Sequence, residues 1–281
     1  MTHLDVNLYF SGNYGPEEQI GAYPCWPSEY LRWVSEKTDY VIIVDDFDLI
    51  DSDHKYKFAV LMEPKSLTPK NYETVLINQH KFNLIFSPYL DYGNGGSKFK
   101  YYAGGARSFI RPEERQMHSK THNIVSIASN KRFMLGHQLR HKLKNWNYTS
   151  GGTRIDYINP PMNRKIDALH NYRFEVVIEN EDATFFSEKL IDSMLAGCIP
   201  IYYTELDVSY LNMFDLNGIV IARSIEEIQQ LVLSDTLNEE YYNSRIDAIR
   251  YNLEIAKQYS RFGDVIWNAG LGDYIKTLGG E

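Results

Sequence analysis

Two carboxylates, an amide and a lysine lie close together in the second half of the chain. Glu179-Asn180 directly follows an apolar run, and Ser187-Glu188-Lys189 precedes a segment with apolar residues at helical spacing. Ser187 is therefore predicted to cap a helix with Glu188 and Lys189 in its first turn. The free N–H groups of a helix N-terminus favour phosphate, and Lys189 adds a full positive charge. A carboxylate such as Glu188 can accept hydrogen bonds from a ribose diol. The segment therefore suits a nucleotide, although a solvated helix cap has the same composition.

The elements that must position these residues alternate between short apolar runs and amphipathic segments. The predicted strands are 5–10, 40–44, 57–62, 82–86, 123–128, 174–178, 199–203 and 218–222. The predicted helices are 28–36, 69–78, 136–146, 163–170, 187–196, 225–234 and 238–259. Strands that alternate with helices indicate parallel sheets covered by helices on both faces. We therefore expect an α/β fold.

A polar, charged stretch divides the chain into two halves. Residues 111–120 read RPEERQMHSK, with Pro112 near the start, and are predicted to form a linker. We expect an α/β domain over residues 1–115 and a second over 116–281 that includes the C-terminal helix. Two Rossmann-like domains would face each other across a cleft, and open α/β sheets bind ligands at the carboxyl ends of their strands.

Composition excludes several classes of protein. The chain has 281 residues, of which 43% are hydrophobic and 23% charged, as in ordinary globular proteins. A formal net charge of −8 argues against nucleic acid or an anionic membrane surface as the main partner. The two cysteines, Cys25 and Cys198, provide neither a disulfide framework nor a zinc pattern. No segment has the roughly 18 consecutive apolar residues of a membrane span, and the N-terminus has no basic leader. We therefore expect a soluble, cytoplasmic protein of undetermined oligomeric state.

The segment 172–203 resembles the donor-binding motif of the α-1,3-fucosyltransferase family, glycosyltransferase family ten. In that family a strand ending Phe-Glu-Asn leads through an aromatic-containing loop to Thr-Glu-Lys, a helix and a Pro-containing strand. The matching residues here are Glu179-Asn180, Phe185, Ser187-Glu188-Lys189 and Ile199-Pro200-Ile201-Tyr202. The resemblance implies that Asn180, Glu188 and Lys189 contact the nucleotide diphosphate of a donor, with Glu179 and Phe185 in the same site.

Residues upstream extend the resemblance. Ser129-Asn130 and the helix that contains Arg140 look like the family's strand end and following helix, where an arginine binds the diphosphate. Arg140 is implied for that role, with Arg132 as the alternative, because a guanidinium fork matches phosphate geometry. Taken alone, Arg140 is better interpreted as a surface residue of the helix, but the order of residues favours the site. Gly151-Gly152 resembles the family's glycine turn, which can approach the donor closely.

The first half of the chain matches the family through one carboxylate. The predicted strand 57–62 ends in Glu63-Pro64, which resembles the strand end that supplies the general base. Such a base takes the proton from the acceptor hydroxyl during an inverting transfer, while cationic side chains stabilise the departing nucleoside diphosphate. The resemblance implies a GT-B-type glycosyltransferase that moves L-fucose from GDP-fucose to a glycan hydroxyl. A strand-end carboxylate without a catalytic role is the alternative for Glu63.

The sequence also departs from the family. Phe185 replaces the usual Tyr, the loop before Glu188 is slightly shorter than in bacterial members, and Tyr203-Thr204 replaces the common Trp-Gly. These departures leave the sugar open. The alternatives are a transferase for a different nucleotide sugar and a non-catalytic nucleotide-sugar-binding protein.

Two patterns could indicate a metal. Asp45-Asp46-Phe47-Asp48 follows a predicted strand, and Asp-x-Asp is the metal–diphosphate ligand of a different glycosyltransferase fold. It falls in the half expected to bind the acceptor, where a solvated turn is the better interpretation. A sequence cluster of histidines lacks a further ligand at a recognisable spacing; these are His118, His122, His137 and His141. We therefore expect no metal and no cofactor besides the donor.

Overall fold

The computed structural model describes residues 3–10, 13–14, 19–20, 23–24, 26–102, 104, 107–150, 154–160 and 162–279. Two compact units emerge from the contacts within the chain. The first unit contains Met1–Arg107 and Gln258–Glu281, and the second contains Ser108–Lys257. The sequence had placed the boundary at residue 115 and had assigned the whole C-terminal region to the second domain.

The strands of the first unit are β1 (Leu4–Phe10), β2 (Asn13–Tyr14), β3 (Gln19–Ile20), β4 (Tyr23–Pro24), β5 (Leu31–Trp33), β6 (Tyr40–Val44), β7 (Tyr56–Val60), β8 (Leu84–Ser87) and β9 (Phe99–Tyr101). Those of the second unit are β10 (His122–Ile127), β11 (Asp156–Ile158), β12 (Tyr172–Ile178), β13 (Ile199–Tyr203) and β14 (Val220–Ala222). The helices are α1 (Pro69–Ile77), α2 (Leu135–Thr149), α3 (Ile166–Leu169), α4 (Glu188–Leu195), α5 (Ile225–Leu233), α6 (Glu239–Asn243), α7 (Ile246–Gln258), α8 (Phe262–Ile266) and α9 (Gly272–Gly279).

Short helical turns complete the elements. The 3₁₀ turns are Asp48–Asp51, Gln79–Lys81, Tyr92–Gly95, Pro112–Glu114, Ser209–Leu211 and Leu216–Gly218. A π-helical turn, Trp267–Leu271, joins α8 to α9.

The first unit is built on a sheet with the order β2-β1-β6-β7-β8-β9, and β5 also pairs with β1. All neighbouring strands are parallel except β1 and β2. Helices cover both faces, so β6 is buried from Val41 to Val44, which explains its continuous apolar run. The strands β3 and β4 form a separate antiparallel pair.

The segment predicted as helix 28–36 contains the strand β5 instead. Leu31 and Trp33 are buried while Arg32 is exposed, which is the two-residue period of a strand. The turn before this strand is held by the buried hydroxyl of Ser28, which donates to Asp264 Oδ1 at 2.6 Å. The helix prediction was wrong because this pairing involves residues distant in sequence.

The C-terminal segment belongs to the first unit because its apolar residues complete that unit's core. Phe262, Val265, Ile266 and Leu271 are buried in the same cluster as strand residues such as Phe58. The predicted helix 238–259 is two helices, α6 and α7, with α7 ending at Gln258.

The second unit has a five-stranded, all-parallel sheet with the order β11-β10-β12-β13-β14. β12 and β13 lie at its centre, with Phe174 opposite Ile199 and Ile178 opposite Tyr203. α4 connects these two strands, so its N-terminus lies at the edge where β12 ends. Such a carboxyl edge is where open α/β sheets bind ligands.

The predicted linker at 111–120 packs into the second unit. Glu114 and Arg115 are both 7% exposed, and Arg164 donates to Glu114 Oε1 at 2.6 Å and 2.9 Å. Glu114 therefore bonds within the unit, which composition alone could not indicate. In the part of the chain that the structure describes, no helix combines the length and apolarity required to cross a membrane.

Candidate functional site

The candidate site of the second unit is the turn between β12 and α4. Ser187 has an extended backbone and caps α4, since its side chain accepts the Lys189 N–H at 3.3 Å. Leu190, Ile191, Met194 and Leu195 of α4 are buried. The sequence prediction of a capped helix over this segment is confirmed. Glu188 and Lys189 are consequently held in its first turn.

Glu179 binds this cap from the end of β12. The Ser187 N–H donates to Glu179 Oε1 at 2.8 Å, and the Ser187 hydroxyl donates to Oε2 at 2.6 Å. Glu179 is 5% exposed, so a buried carboxylate receives two short hydrogen bonds from one residue. This pair connects the end of the strand to the beginning of the helix.

Lys189 lies between two carboxylates. Its Nζ is 3.3 Å from Glu179 Oε2, 3.3 Å from Glu188 Oε1 and 2.9 Å from the Ser187 hydroxyl. Burial lowers the pKa of Lys189, but the carboxylates of Glu188 and Glu179 outweigh it, and the pKa is raised overall. The ammonium is therefore charged at neutral pH, and 24% of its side chain remains exposed.

Arg140 of α2 also binds the end of β12. Its guanidinium donates to the carbonyl oxygen of Ile178 and, at 2.9 Å, to Asn180 Oδ1. Burial lowers the pKa of Arg140, and Glu179 and Glu188 oppose that effect. Arg140 is 5% exposed, so the interpretation as a solvated surface residue is wrong. Arg140 and Lys189 thus bind the same three-residue segment, 178–180.

Gly136 lets α2 approach this segment closely. Its N–H donates to the Asn180 carbonyl oxygen at 3.1 Å. A Cβ atom at Gly136 would lie 1.7 Å from the Glu179 carbonyl oxygen, which no packed structure permits. Gly136 was not among the predicted site residues, although a glycine as the first residue of the predicted helix 136–146 was a signal.

His137 is neutral in this cationic environment. Burial, followed by the charges of Arg140, Lys131 and Lys189, lowers the pKa of His137 to about 4. Its Nδ1 accepts the Met134 N–H at 3.2 Å at the beginning of α2. At neutral pH His137 therefore adds no further positive charge beside Arg140 and Lys189.

The remaining donor-site predictions differ in their surroundings. Asn130 and Arg132 are exposed beyond the end of β10. Phe185 is 5% exposed, and its carbonyl oxygen accepts the Tyr202 hydroxyl at 3.3 Å. Gly151 and Gly152 lie outside the described residues. These roles remain predictions.

A further carboxylate, which was not among the predicted site residues, orders the loop after β12. Asp182 accepts the Thr204 hydroxyl at 2.6 Å and the Glu205 N–H at 2.8 Å. It thereby ties the loop to the end of β13, the neighbouring strand in the sheet. Its sequence signal was weak, because an acidic residue in a polar loop is common.

The predicted base lies in the first unit, just past the end of β7. Glu63 has a side chain that is 29% exposed, and its Oε1 is 3.8 Å from an amino nitrogen of Arg107. Its own N–H donates to Asp45 Oδ2 at 2.8 Å. The interpretation of 45–48 as a solvated turn is therefore wrong for Asp45, whose carboxylate binds the backbone of the neighbouring strand end.

Metal ligands are not clustered in the described part of the chain. Within it, no group of three or more His, Cys, Asp or Glu side chains is arranged to hold a metal ion. Asp46 Oδ1 accepts the Asp48 N–H at 3.3 Å, as in an ordinary turn. The prediction that no metal is needed is tested by measuring activity with and without a chelator.

Comparison with solved structures identifies the architecture. A trehalose-6-phosphate synthase, described for glycosyl transfer with retention, aligns with a TM-score of 0.56 and 13% identity over 86% of this chain and 74% of that one. A pneumococcal O-GlcNAc transferase in complex with UDP and GlcNAc aligns with a TM-score of 0.52 and 12% identity over 85% and 56%. An α1,3-fucosyltransferase aligns with a TM-score of 0.50 and 11% identity over 82% and 84%.

These likenesses show the fold, an α/β architecture of the GT-B glycosyltransferase type, as the sequence predicted. The chain spans only about half the length of the pneumococcal transferase that it matches. No protein-family model matches the sequence, and a search of curated proteins finds no match.

Proposed function

We propose that the chain is a glycosyltransferase and that its second unit binds the nucleotide diphosphate of a sugar donor. The observation that carries the proposal is the charged Lys189 in the first turn of α4, fixed by Glu179 and Ser187 at the carboxyl edge of a parallel sheet. Helix N-termini and cations at this edge bind phosphate in α/β folds. The GT-B-type fold supports a nucleotide-sugar donor over other phosphate ligands.

Each side chain of the site has a proposed part. The Lys189 ammonium contacts the diphosphate, and the Glu188 carboxylate, whose side chain is 25% exposed, accepts hydrogen bonds from the ribose diol. Glu179 holds both the cap and the lysine, so it positions them without touching the donor. Arg140 holds Asn180 in place by the 2.9 Å hydrogen bond. Its direct contact with the diphosphate, implied by the resemblance, would need part of the guanidinium to turn toward the ligand.

The proposed reaction is inverting transfer, with Glu63 as general base. An inverting step needs one carboxylate to remove the proton of the attacking hydroxyl as the sugar–phosphate bond breaks. The partly exposed Glu63 at the end of β7 meets the first requirement of that role, access to a substrate. Since a transferase described for transfer with retention is also similar in fold, the stereochemistry of the product is the deciding measurement.

The proposed donor is GDP-fucose and the acceptor a glycan hydroxyl, on the strength of the motif at 172–203. A different nucleotide sugar is the second candidate, because the similar O-GlcNAc transferase was solved with UDP. Lys189 and the α4 N-terminus would stabilise the leaving diphosphate in either case. We therefore propose a reaction without a metal, in which these cationic groups take the place of a divalent ion.

Two measurements test this proposal. Calorimetric titration with GDP, UDP, CDP and dTDP identifies the nucleoside, and we expect GDP to bind most tightly. GDP release from GDP-fucose should continue in EDTA and should fall at least about a hundredfold in Glu63→Gln, the scale of general-base catalysis. If the chain binds a nucleotide but never turns over its sugar conjugate, it is a binding protein and not a transferase.

A further inference from the structure

We propose that Asp45 is the positioning residue for Glu63: its carboxylate fixes the backbone turn that presents the proposed base. This inference rests on the proposed function, in which Glu63 accepts a proton from the acceptor. Asp45 itself touches neither substrate.

The backbone of Asp45 is in an unusual conformation. Directly after β6 it has a φ of 49°, the left-handed region that residues with a Cβ atom seldom occupy. Two hydrogen bonds hold it there: its N–H donates to Val60 O at 3.1 Å, and its carbonyl oxygen accepts Asn71 Nδ2 at 2.6 Å. The consequence is that the side chain is aimed at the end of β7.

Both oxygens of Asp45 are used at that strand end. Oδ1 accepts the Met62 N–H at 2.9 Å, and Oδ2 accepts the Glu63 N–H at 2.8 Å. One carboxylate therefore orients two successive peptide groups, including the one that carries the proposed base. These hydrogen bonds use only backbone N–H groups, so they do not engage the Glu63 side chain.

Tyrosine hydroxyls fix the same turn at other points. Tyr102 donates to Leu61 O at 2.8 Å, Tyr72 donates to Glu63 O at 2.9 Å, and Tyr89 accepts the Lys65 N–H at 2.9 Å. Backbone groups from 61 to 65 are thus bound by side chains of other elements. A surface turn without a task does not need this degree of fixation, whereas a catalytic base must be held within fractions of an ångström.

The charge of Asp45 changes with pH near neutral pH. Burial raises the pKa of Asp45 to about 7, with the Glu63 carboxylate adding to the effect, while the Met62 and Glu63 N–H groups and Arg107 oppose it. Ionised Asp45 accepts both N–H groups. Protonation places a hydrogen on one of its oxygens, which weakens its hold on the turn.

Asp45→Asn is the primary test, because asparagine tolerates the left-handed conformation but offers only one acceptor oxygen. In the wild type, kcat for GDP release from GDP-fucose, with lactose as acceptor, should show an ionisation near pH 7. The variant should lack it and have a kcat roughly tenfold to a hundredfold lower, with donor KM and GDP affinity unchanged. The matched control is Asp235→Asn, since Asp235 is the other aspartate with a positive φ, 52°, and is exposed.

Hydrogen exchange gives a readout that does not depend on catalysis. The Met62 and Glu63 amides should exchange faster in Asp45→Asn than in wild type, and the control should leave them unchanged. Tyr72→Phe, which removes only the hydroxyl on Glu63 O, should lower kcat several-fold with donor KM unchanged. If Asp45→Asn does not fold, an unchanged kcat in Tyr72→Phe overturns the premise that fixation of this turn positions Glu63, and a lowered kcat supports it.

The outcomes separate this inference from the proposed function. If Glu63→Gln is inactive while Asp45→Asn keeps the wild-type kcat and its pH profile, the positioning role is refuted and the base stands. If Glu63→Gln turns over normally, the assignment of the base fails, and the positioning role falls with it. Loss of kcat and of the ionisation near pH 7, with faster exchange at 62 and 63, supports the inference.

Discussion

Ser187 binds Glu179 twice, through its N–H to Oε1 at 2.8 Å and through its hydroxyl to Oε2 at 2.6 Å. The end of β12 is thereby fixed to the cap of α4. The Lys189 ammonium contacts both Glu179 and Ser187. Because a serine hydroxyl both donates and accepts, this one group joins the carboxylate, the ammonium and the helix N-terminus.

Ser187→Ala should therefore weaken both the fold and the site. Loss of an N-cap costs about 1 kcal/mol, and the freed Glu179 and Lys189 should also lower the affinity for GDP. Urea unfolding and calorimetry measure the two effects. Ser224→Ala is the matched control, because Ser224 caps α5 by accepting the Glu227 N–H at 3.0 Å. Equal losses of GDP affinity in both variants would contradict a specific role for Ser187.

Gly136→Ala should be destabilising although alanine is the better helix former. Helix propensity alone favours alanine by about 1 kcal/mol. The new Cβ would meet the Glu179 carbonyl oxygen at 1.7 Å, so α2 must move away from the site. We expect an overpacking cost of about 1–3 kcal/mol in urea unfolding, together with weaker GDP binding. Stabilisation by the substitution would show that α2 does not pack so closely here.

His137 should make stability depend on pH between 6.5 and 4. Its pKa is lowered from 6.5 to about 4 in the folded chain, so the unfolded chain takes up the proton first. The stability that His137 contributes is present above pH 6.5 and is lost as the pH falls through 4, by at most roughly 3 kcal/mol.

His137→Gln should remove this loss while retaining an acceptor for the Met134 N–H, since glutamine suits this helix position. Urea unfolding at several pH values gives the comparison, with substitution of the exposed His80 by Gln as control. A variant that loses as much stability in acid as the wild type would show that His137 is protonated normally.

The sequence predicted the central elements well because their signals are local. The apolar runs at 40–44 and 199–203 match β6 and β13 residue for residue, and Ser187 correctly predicted the start of α4. Burial on both faces of a parallel sheet produces such runs, and a capping serine marks a helix start.

What the sequence missed depends on contacts between distant residues. β5 was predicted as part of a helix because its pairing with β1 is not visible in a local pattern. The C-terminal helices α8 and α9 were not predicted, and their assignment to the first unit follows from apolar contacts with its strands. Asp45 looked like a turn residue until its two N–H partners near the end of β7 were known.

GDP titration of Lys189→Ala is the most direct test of the central claim, that the first turn of α4 holds the donor diphosphate. A charge-assisted hydrogen bond to phosphate contributes about 1.5–3 kcal/mol, so affinity should fall roughly tenfold to a hundredfold. Lys142→Ala is the control, because Lys142 is an exposed lysine of the same unit, paired with Glu226 at 2.6 Å. We expect only Lys189→Ala to lose affinity. If it binds GDP, UDP, CDP and dTDP as tightly as the wild type does, the donor site lies elsewhere.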